Sequence, residues 1–250
     1  MSRIAVAVLL LLTACRPEPP PRARALQAYA YDVALPHVRA FAAAAERLAE
    51  NPTPETWRAA RRAWALCGAH LIGPEQDRLL AAKIDAFPAE PEDAPDVERL
   101  GAGRKGFFAL ETLLFGENRP ELAKALARNL AAVAREIRAG WENGFAEALA
   151  TAGRPGSPFK TRQEAFDRIV NHIVAFAERT VDRLAWPAGL VAGAEGRADP
   201  SLLVGRRSGE ALEDLRGAVE GLRRVYDGAL RSPLAKAAPE IDAALRSAFE

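Results

Sequence analysis

Histidine is scarce in this chain: three residues, His37, His70 and His172, each in a different segment. That spacing excludes a His-Glu-x-x-His zinc helix, and the sequence also lacks a P-loop, a Gly-x-Ser-x-Gly elbow and a Cys-x-x-Cys pair. It spells out no metal cage. Cysteine is scarcer still, with only Cys15 and Cys67 among 250 residues. Cys15 closes the leader described below, which leaves Cys67 without a partner for an internal disulfide and reads it as a buried core thiol. Neither charge is in excess: the formal net charge is +1, and no basic stripe with interleaved aromatics offers itself to nucleic acid. No segment alternates apolar and polar residues as a half-buried strand would.

What the chain does have at its start is a secretory pattern: Met1-Ser2-Arg3, an apolar run from Ile4 to Leu12, then Leu12-Thr13-Ala14-Cys15. Nine apolar residues are too few to span a bilayer of about 30 Å, so the run reads as a cleaved leader. Leu-Thr-Ala-Cys resembles the bacterial lipobox, whose cysteine is acylated and becomes the first mature residue. Residues 1–14 are therefore predicted as signal peptide, and residues 15–24 as a lipidated Cys15 on a tether rich in proline, Pro17 and Pro19 to Pro21. Several acyl chains anchor firmly where one does not, so a membrane held through Cys15 is the first predicted partner. Arg16 stands where some inner-membrane lipoproteins carry a retaining aspartate, which favours the outer membrane. Without the leader, 33 basic residues face 33 acidic ones.

The remaining periodicity is helical. After Pro36, the residues Val38, Phe41, Ala45 and Leu48 share a face; Thr53-Pro54 then caps and opens a helix carrying Trp57, Ala60, Trp64, Cys67 and Leu71. From Pro120, apolar positions recur through Leu122, Leu130, Ile137 and Trp141 to Phe145, predicting a helix of about eight turns. Gly153 to Pro158 separates this group from helices marked by Phe166 to Leu184, by Leu212 to Tyr226, and by a last one opened at Ser232-Pro233. The predicted class is all-α, two packed helical bundles, with residues 25–152 in the first and 159–250 in the second. Two loops stand out. Residues 85–98 carry six acids and three prolines and read as solvated surface without EF-hand spacing; residues 187–209 carry five glycines, more than a bundle connection needs.

Glu111 is the one charged residue between Gly106 and Gly116. On a helix its neighbours three and four positions away are Phe107, Phe108, Leu114 and Phe115, so it lies among apolar surface. A carboxylate taken out of water costs several kcal/mol unless it is paired. Three readings stay open: a structural ion pair, a ligand or metal site, and an edge reached by solvent.

Several segments in order resemble the imelysin family of bacterial envelope proteins. Arg61-Arg62-Ala63-Trp64 resembles its Ala-Arg-x-Ala-Trp helix, and Lys83-Ile84-Asp85-Ala86-Phe87-Pro88 its Ile-Asp-x-Trp-Pro turn. Gly106 to Gly116 resembles the Gly-x-His-x-x-Glu-x-Leu-Leu-x-Gly signature, and Ser208-Gly209 with Leu222 to Gly228 the closing helix. The resemblance implies an all-helical, two-lobed protein, often lipid-anchored, with Glu111, Arg62, Asp85, Arg207 and Ser208 as site candidates converging between the lobes. Arg62 or Arg207 is then the expected partner of Glu111. Ser208 also reads as a helix cap and Asp85 as a turn acid.

Phe108 stands where the signature has histidine. Phenylalanine has no lone pair, so Glu111 alone cannot complete the metal motif that placed the family among metallopeptidases. Many members are linked instead to iron acquisition. The first expectation is therefore a periplasmic lipoprotein that binds a small ligand or an envelope protein partner, in iron uptake, with no catalytic residue and no resident cofactor. The second is a peptidase in which His70 or His172 replaces the missing ligand, iron or zinc being the metal; the third is a structural protein with a relict site.

Overall fold

The computed structural model describes residues 21–94, 96–191 and 196–249; the predicted signal peptide, Cys15 and most of the tether lie outside the described residues. All regular structure among the described residues is helical. Helix α1 (Pro21–Ala28) runs through a π-helical turn, Tyr29–Ala34, into α2 (Leu35–Glu50). The sequence predicts a start at Pro36, but the helix enters from upstream. The wide turn falls just ahead of Pro36, where a missing N–H and a bulky ring disturb the regular ladder.

Helix α3 (Pro54–Cys67) begins with a reciprocal cap: the Thr56 N–H donates to Thr53 Oγ1 at 3.3 Å and the Thr53 N–H to Thr56 Oγ1 at 3.0 Å. It tightens into a 3₁₀ turn, Gly68–His70, which leaves Leu71 outside the helix. Short helices α4 (Pro74–Asp77) and α5 (Leu80–Asp85) lead to the acidic loop, then α6 (Gly106–Phe115) and α7 (Pro120–Gly140). The predicted eight-turn helix is shorter than expected. Asn143 and Gly144, the latter at φ 138°, leave helical space, and α8 (Ala146–Ala150) resumes after the kink. Helix α9 (Arg162–Ala185) and α10 (Ala211–Val225) follow. The single final helix expected from Ser232 is two, α11 (Arg231–Ala237) and α12 (Pro239–Phe249), because Pro239 cannot continue the ladder.

The fold is all-α, two packed helical bundles. In the first, α2 packs on α3 and α7, and α6 lies against α3 and α7. Its centre is aromatic: Phe41 and Trp64 lie with ring centroids 4.8 Å apart, and the buried Trp57 Nε1 donates to the Phe107 carbonyl at 2.9 Å. Cys67 is free and buried, as its sequence setting predicts. Helix α10 lies along another side of α3, and α9 packs on α10 and on the Gly68–His70 turn. Gly221 makes that approach possible, since a Cβ there would sit 2.6 Å from the Leu66 carbonyl oxygen. Among the described residues no helix is long and apolar enough to cross a membrane.

Candidate functional site

Helix α6 is buried along nearly its whole length, Glu111 included at 3% exposure. The burial reading of its apolar neighbours is correct, but the expected partner is not. Glu111 Oε1 accepts the backbone N–H of Ser208 at 2.7 Å, and among the described residues it makes no ion pair with either Arg62 or Arg207. Arg62 turns to the N-terminal end of α10, where it and Arg58 each reach Glu210 at 3.1 Å. Arg207 donates to the hydroxyl of Thr112 at 2.7 Å, one residue along from Glu111. A backbone amide is enough for the carboxylate because it comes from a tight turn before α10, with no side chain to order. Ser208 Oγ donates to the Gly205 carbonyl at 3.2 Å and accepts from the Glu210 N–H at 3.4 Å, so it orders this turn rather than capping the helix, which starts at Ala211.

The buried cation of the site is Arg61, one residue before the predicted one. It is fully buried, bonded through Nη1 to Asp85 and through Nε to Asp214 Oδ2 at 2.7 Å. Arg183 adds a second bond to Asp85 at 2.7 Å. Burial alone would raise the Asp85 carboxyl, but the Arg61 and Arg183 guanidiniums outweigh it and hold it well below the usual carboxylate range. Asp214, with less cation around it, is raised by burial despite Arg61. This network joins α3, the end of α5, α9 and α10. It was legible in part. Arg61 lies four residues after Trp57 and three before Trp64, on the buried stripe itself, whereas Arg62 falls off it.

Phe108 packs into the same network. The Arg61 guanidinium sits 4.7 Å from the Phe108 ring centroid and 5.2 Å from that of Phe107. On its other side Phe108 meets Phe87 edge-on at 5.1 Å, beside the cis Phe87-Pro88 peptide. Between Phe87, Phe108, Glu111 and Arg207 a cleft of about 180 Å³ remains. Of the five predicted residues, the fold thus brings Glu111, Ser208 and Arg207 together, places Asp85 in the adjoining ion network, and leaves Arg62 outside.

The histidines are elsewhere. His70 is buried, with Nε2 2.8 Å from His37 Nδ1, and burial pulls it well below the usual imidazole range; His172 Nε2 bonds the Gly68 carbonyl at 2.9 Å. Neither contacts Glu111. Among the described residues no three His, Cys, Asp or Glu side chains group to hold a metal ion. The groups around Glu111, a backbone N–H, a guanidinium and two phenyl rings, offer no lone pair and do not fit the metal of a peptidase site.

The family model for Imelysin, Peptidase M75, matches residues 25–250. The chain belongs to the imelysin family. It is 26% identical over 190 residues to the iron-regulated protein A of Synechococcus elongatus, over 70% of this chain and 51% of that protein, so it spans about half the length of that relative. The imelysin fold is seen again in two crystal structures. One is an iron-regulated protein A precursor from Parabacteroides distasonis, with TM-score 0.70 over 92% of this chain and 83% of that one. The other is an imelysin-like protein from Psychrobacter arcticum, with TM-score 0.71 over 93% and 83%. Both are 14% identical to this chain, a likeness of fold alone.

The Glu111 geometry sets what mutation should do. Glu111→Gln keeps an oxygen for the Ser208 N–H and is expected to cost only about 1 kcal/mol, while Glu111→Leu strands that N–H and should cost about 2 to 3 kcal/mol. Removing Arg207 as well should recover nothing. Urea denaturation checks this; a loss above about 3 kcal/mol in Glu111→Gln that the second change restores would reinstate a buried ion pair.

Proposed function

We propose that this imelysin-family chain is a periplasm-facing envelope lipoprotein with a part in iron acquisition, and that it binds a ligand or partner at the Glu111 cleft without catalysing a reaction. The observation that carries the reading is Phe108 stacked on the buried Arg61 beside that cleft. A histidine there would offer a lone pair to a metal or a proton; the phenyl ring instead seals the side of the network and leaves an open, small cleft of about 180 Å³. The cleft supports binding over a purely structural role, because Phe107 and Phe108 do not fill it; at about 180 Å³ it is smaller than the roughly 300 Å³ of the smallest usual small-molecule sites and suits a partner's side chain or a ligand of a few atoms. Iron enters through the name of the cyanobacterial relative, iron-regulated protein A. The tether rests on the lipobox-like Leu12 to Cys15 and the prolines after it.

The test is a strain lacking this chain. It should grow as its parent does in iron-replete medium and fall behind under iron limitation, with the wild-type chain restoring growth. The wild-type chain should fractionate with membranes and Cys15→Ser should not. Equal growth at every iron level would remove the iron reading, and a membrane fraction indifferent to Cys15 would remove the anchor.

A further inference from the structure

Only one oxygen of the Glu111 carboxylate is used by the fold. Oε1 takes the Ser208 N–H, whereas Oε2 has no hydrogen-bond partner among the described residues and, unlike the unpartnered Glu75 Oε2 and Asp214 Oδ1, is not sealed from solvent. Glu111 is 3% exposed and lines the cleft of about 180 Å³, so the opening left to Oε2 is the cleft. The walls beside it are the apolar side chains of Phe87, Pro88, Phe108 and Leu203. An acceptor in such a place gains from any ligand that brings a donor. The charges select which donor. Of the other charged residues lining the cleft, Arg207 is answered by Glu90 at 3.5 Å and by the Thr112 hydroxyl. Arg206 is exposed at the rim and lies near Asp199, whose carboxyl is held below its usual range first by the Ser201 hydroxyl and N–H and then by the Arg206 charge. Behind Phe108, Arg61 and Arg183 are matched by Asp85 and Asp214; Arg58 and Arg62, on Glu210, do not line the cleft. Glu111 is thus the cleft carboxylate with no ion pair among the described residues, and an ionised acceptor favours a charged donor over a neutral one. A metal ion needs several ligands, and among the described residues no three His, Cys, Asp or Glu side chains gather to hold one. An ammonium needs only an acceptor.

We infer that the Glu111 cleft takes a primary alkylammonium group, its head donating to Glu111 Oε2 and its unbranched stem lying against Phe87, Pro88 and Phe108. The inference rests on the reading of this cleft as a binding site and adds the chemistry of what binds there. A lysine side chain of a partner and a free small amine share that chemistry: a compact head with three donors on a flexible apolar stem.

Matched probes separate the parts: n-butylammonium has head and stem, 1-butanol a neutral donor, butyrate the opposite charge, and butyltrimethylammonium the charge without a donor. Nuclear magnetic resonance titration of the purified, isotope-labelled chain in low-salt buffer reads site and affinity together. The Glu111 and Ser208 amide signals should move with n-butylammonium at a dissociation constant on the order of 1 mM, and the other three probes should bind at least about tenfold more weakly. Glu111→Gln keeps an oxygen for the Ser208 N–H but turns an amide N–H into the cleft, and should bring n-butylammonium down to the level of 1-butanol while the helical circular dichroism stays as in the wild type. Arg206→Ala removes a rim charge that repels a cation and should tighten n-butylammonium about twofold or more. Nα-acetyl-lysine methylamide sets the source: binding as tight as n-butylammonium assigns a partner's lysine, and binding about tenfold weaker assigns a free amine, either one supporting the ammonium. Butyrate or 1-butanol that binds as well as the amine while moving the same signals would overturn the ammonium and keep the cleft. So would n-butylammonium that binds Glu111→Gln as it binds the wild type. If no probe moves these signals at millimolar concentration the ammonium assignment fails, and iron-limited growth of a strain carrying Glu111→Gln then decides the cleft separately: growth equal to that with the wild-type chain would remove it too.

Discussion

Arg61→Met is expected to lower the unfolding free energy by about 3 to 5 kcal/mol, at least a fifth of the roughly 5 to 15 kcal/mol that folded domains commonly have. The side chain is fully buried and answers two carboxylates, Asp85 and Asp214, of which only Asp85 keeps another cation, Arg183. Methionine fills the space but strands Asp214 in low dielectric and removes the cation from between the Phe107 and Phe108 rings. The companion change decides the cause. Arg61→Met with Asp214→Leu removes both halves of one pair, leaves Asp85 with Arg183, and should recover most of the loss in urea denaturation. If the double variant is no more stable than Arg61→Met alone, the loss comes from packing and the ion network is not what holds α3 to α10.

Gly106→Ala is expected to cost at least about 3 kcal/mol. Gly106 opens α6 at φ 83°, a region where an L side chain costs about 1 to 2 kcal/mol. A Cβ there would also lie 2.6 Å from the Ile84 carbonyl oxygen and 2.8 Å from its Cα, and these are backbone atoms that no rotamer change can move aside. The glycine therefore sets how closely the Asp85 turn and the Glu111 helix approach. Guanidinium unfolding measures the cost; a loss below about 1 kcal/mol would mean that the two segments separate freely and that their spacing is not fixed by this contact.

The helices were legible because the chain repeats apolar residues every three to four positions, and Trp57, Trp64 and Cys67 mark the buried side of α3 as the periodicity requires. The π turn before Pro36 and the kink at Gly144 were not, because both depend on how neighbouring turns share their hydrogen bonds rather than on which side is apolar. At the site, Glu111 stood out as a charge in an apolar stretch, and its burial follows from that setting. Its partner did not, because a backbone N–H has no residue type to read. The resemblance points to Arg62, whereas the tryptophan stripe marks Arg61, four residues after Trp57 and three before Trp64. Its partner Asp214 comes from α10, 153 residues further on, and Arg183 of α9 joins through Asp85, 98 residues from it; nothing in their local sequence points back to Arg61 or Asp85.

The Ser208 amide that meets Glu111 and the Asp214 carboxylate that meets Arg61 both belong to the last fifth of the chain. A polypeptide is made from its N-terminus, so α3 and α6 exist for some time before α10. During that interval Glu111 lacks the Ser208 donor, Arg61 lacks Asp214, and the cleft lacks the wall that Ser201, Leu203, Arg206 and Arg207 supply. The contacts that tie α6 and α3 to the end of the chain thus form late, when the Ser208 turn and α10 dock, and a chain cut short before residue 205 has those helices but neither contact.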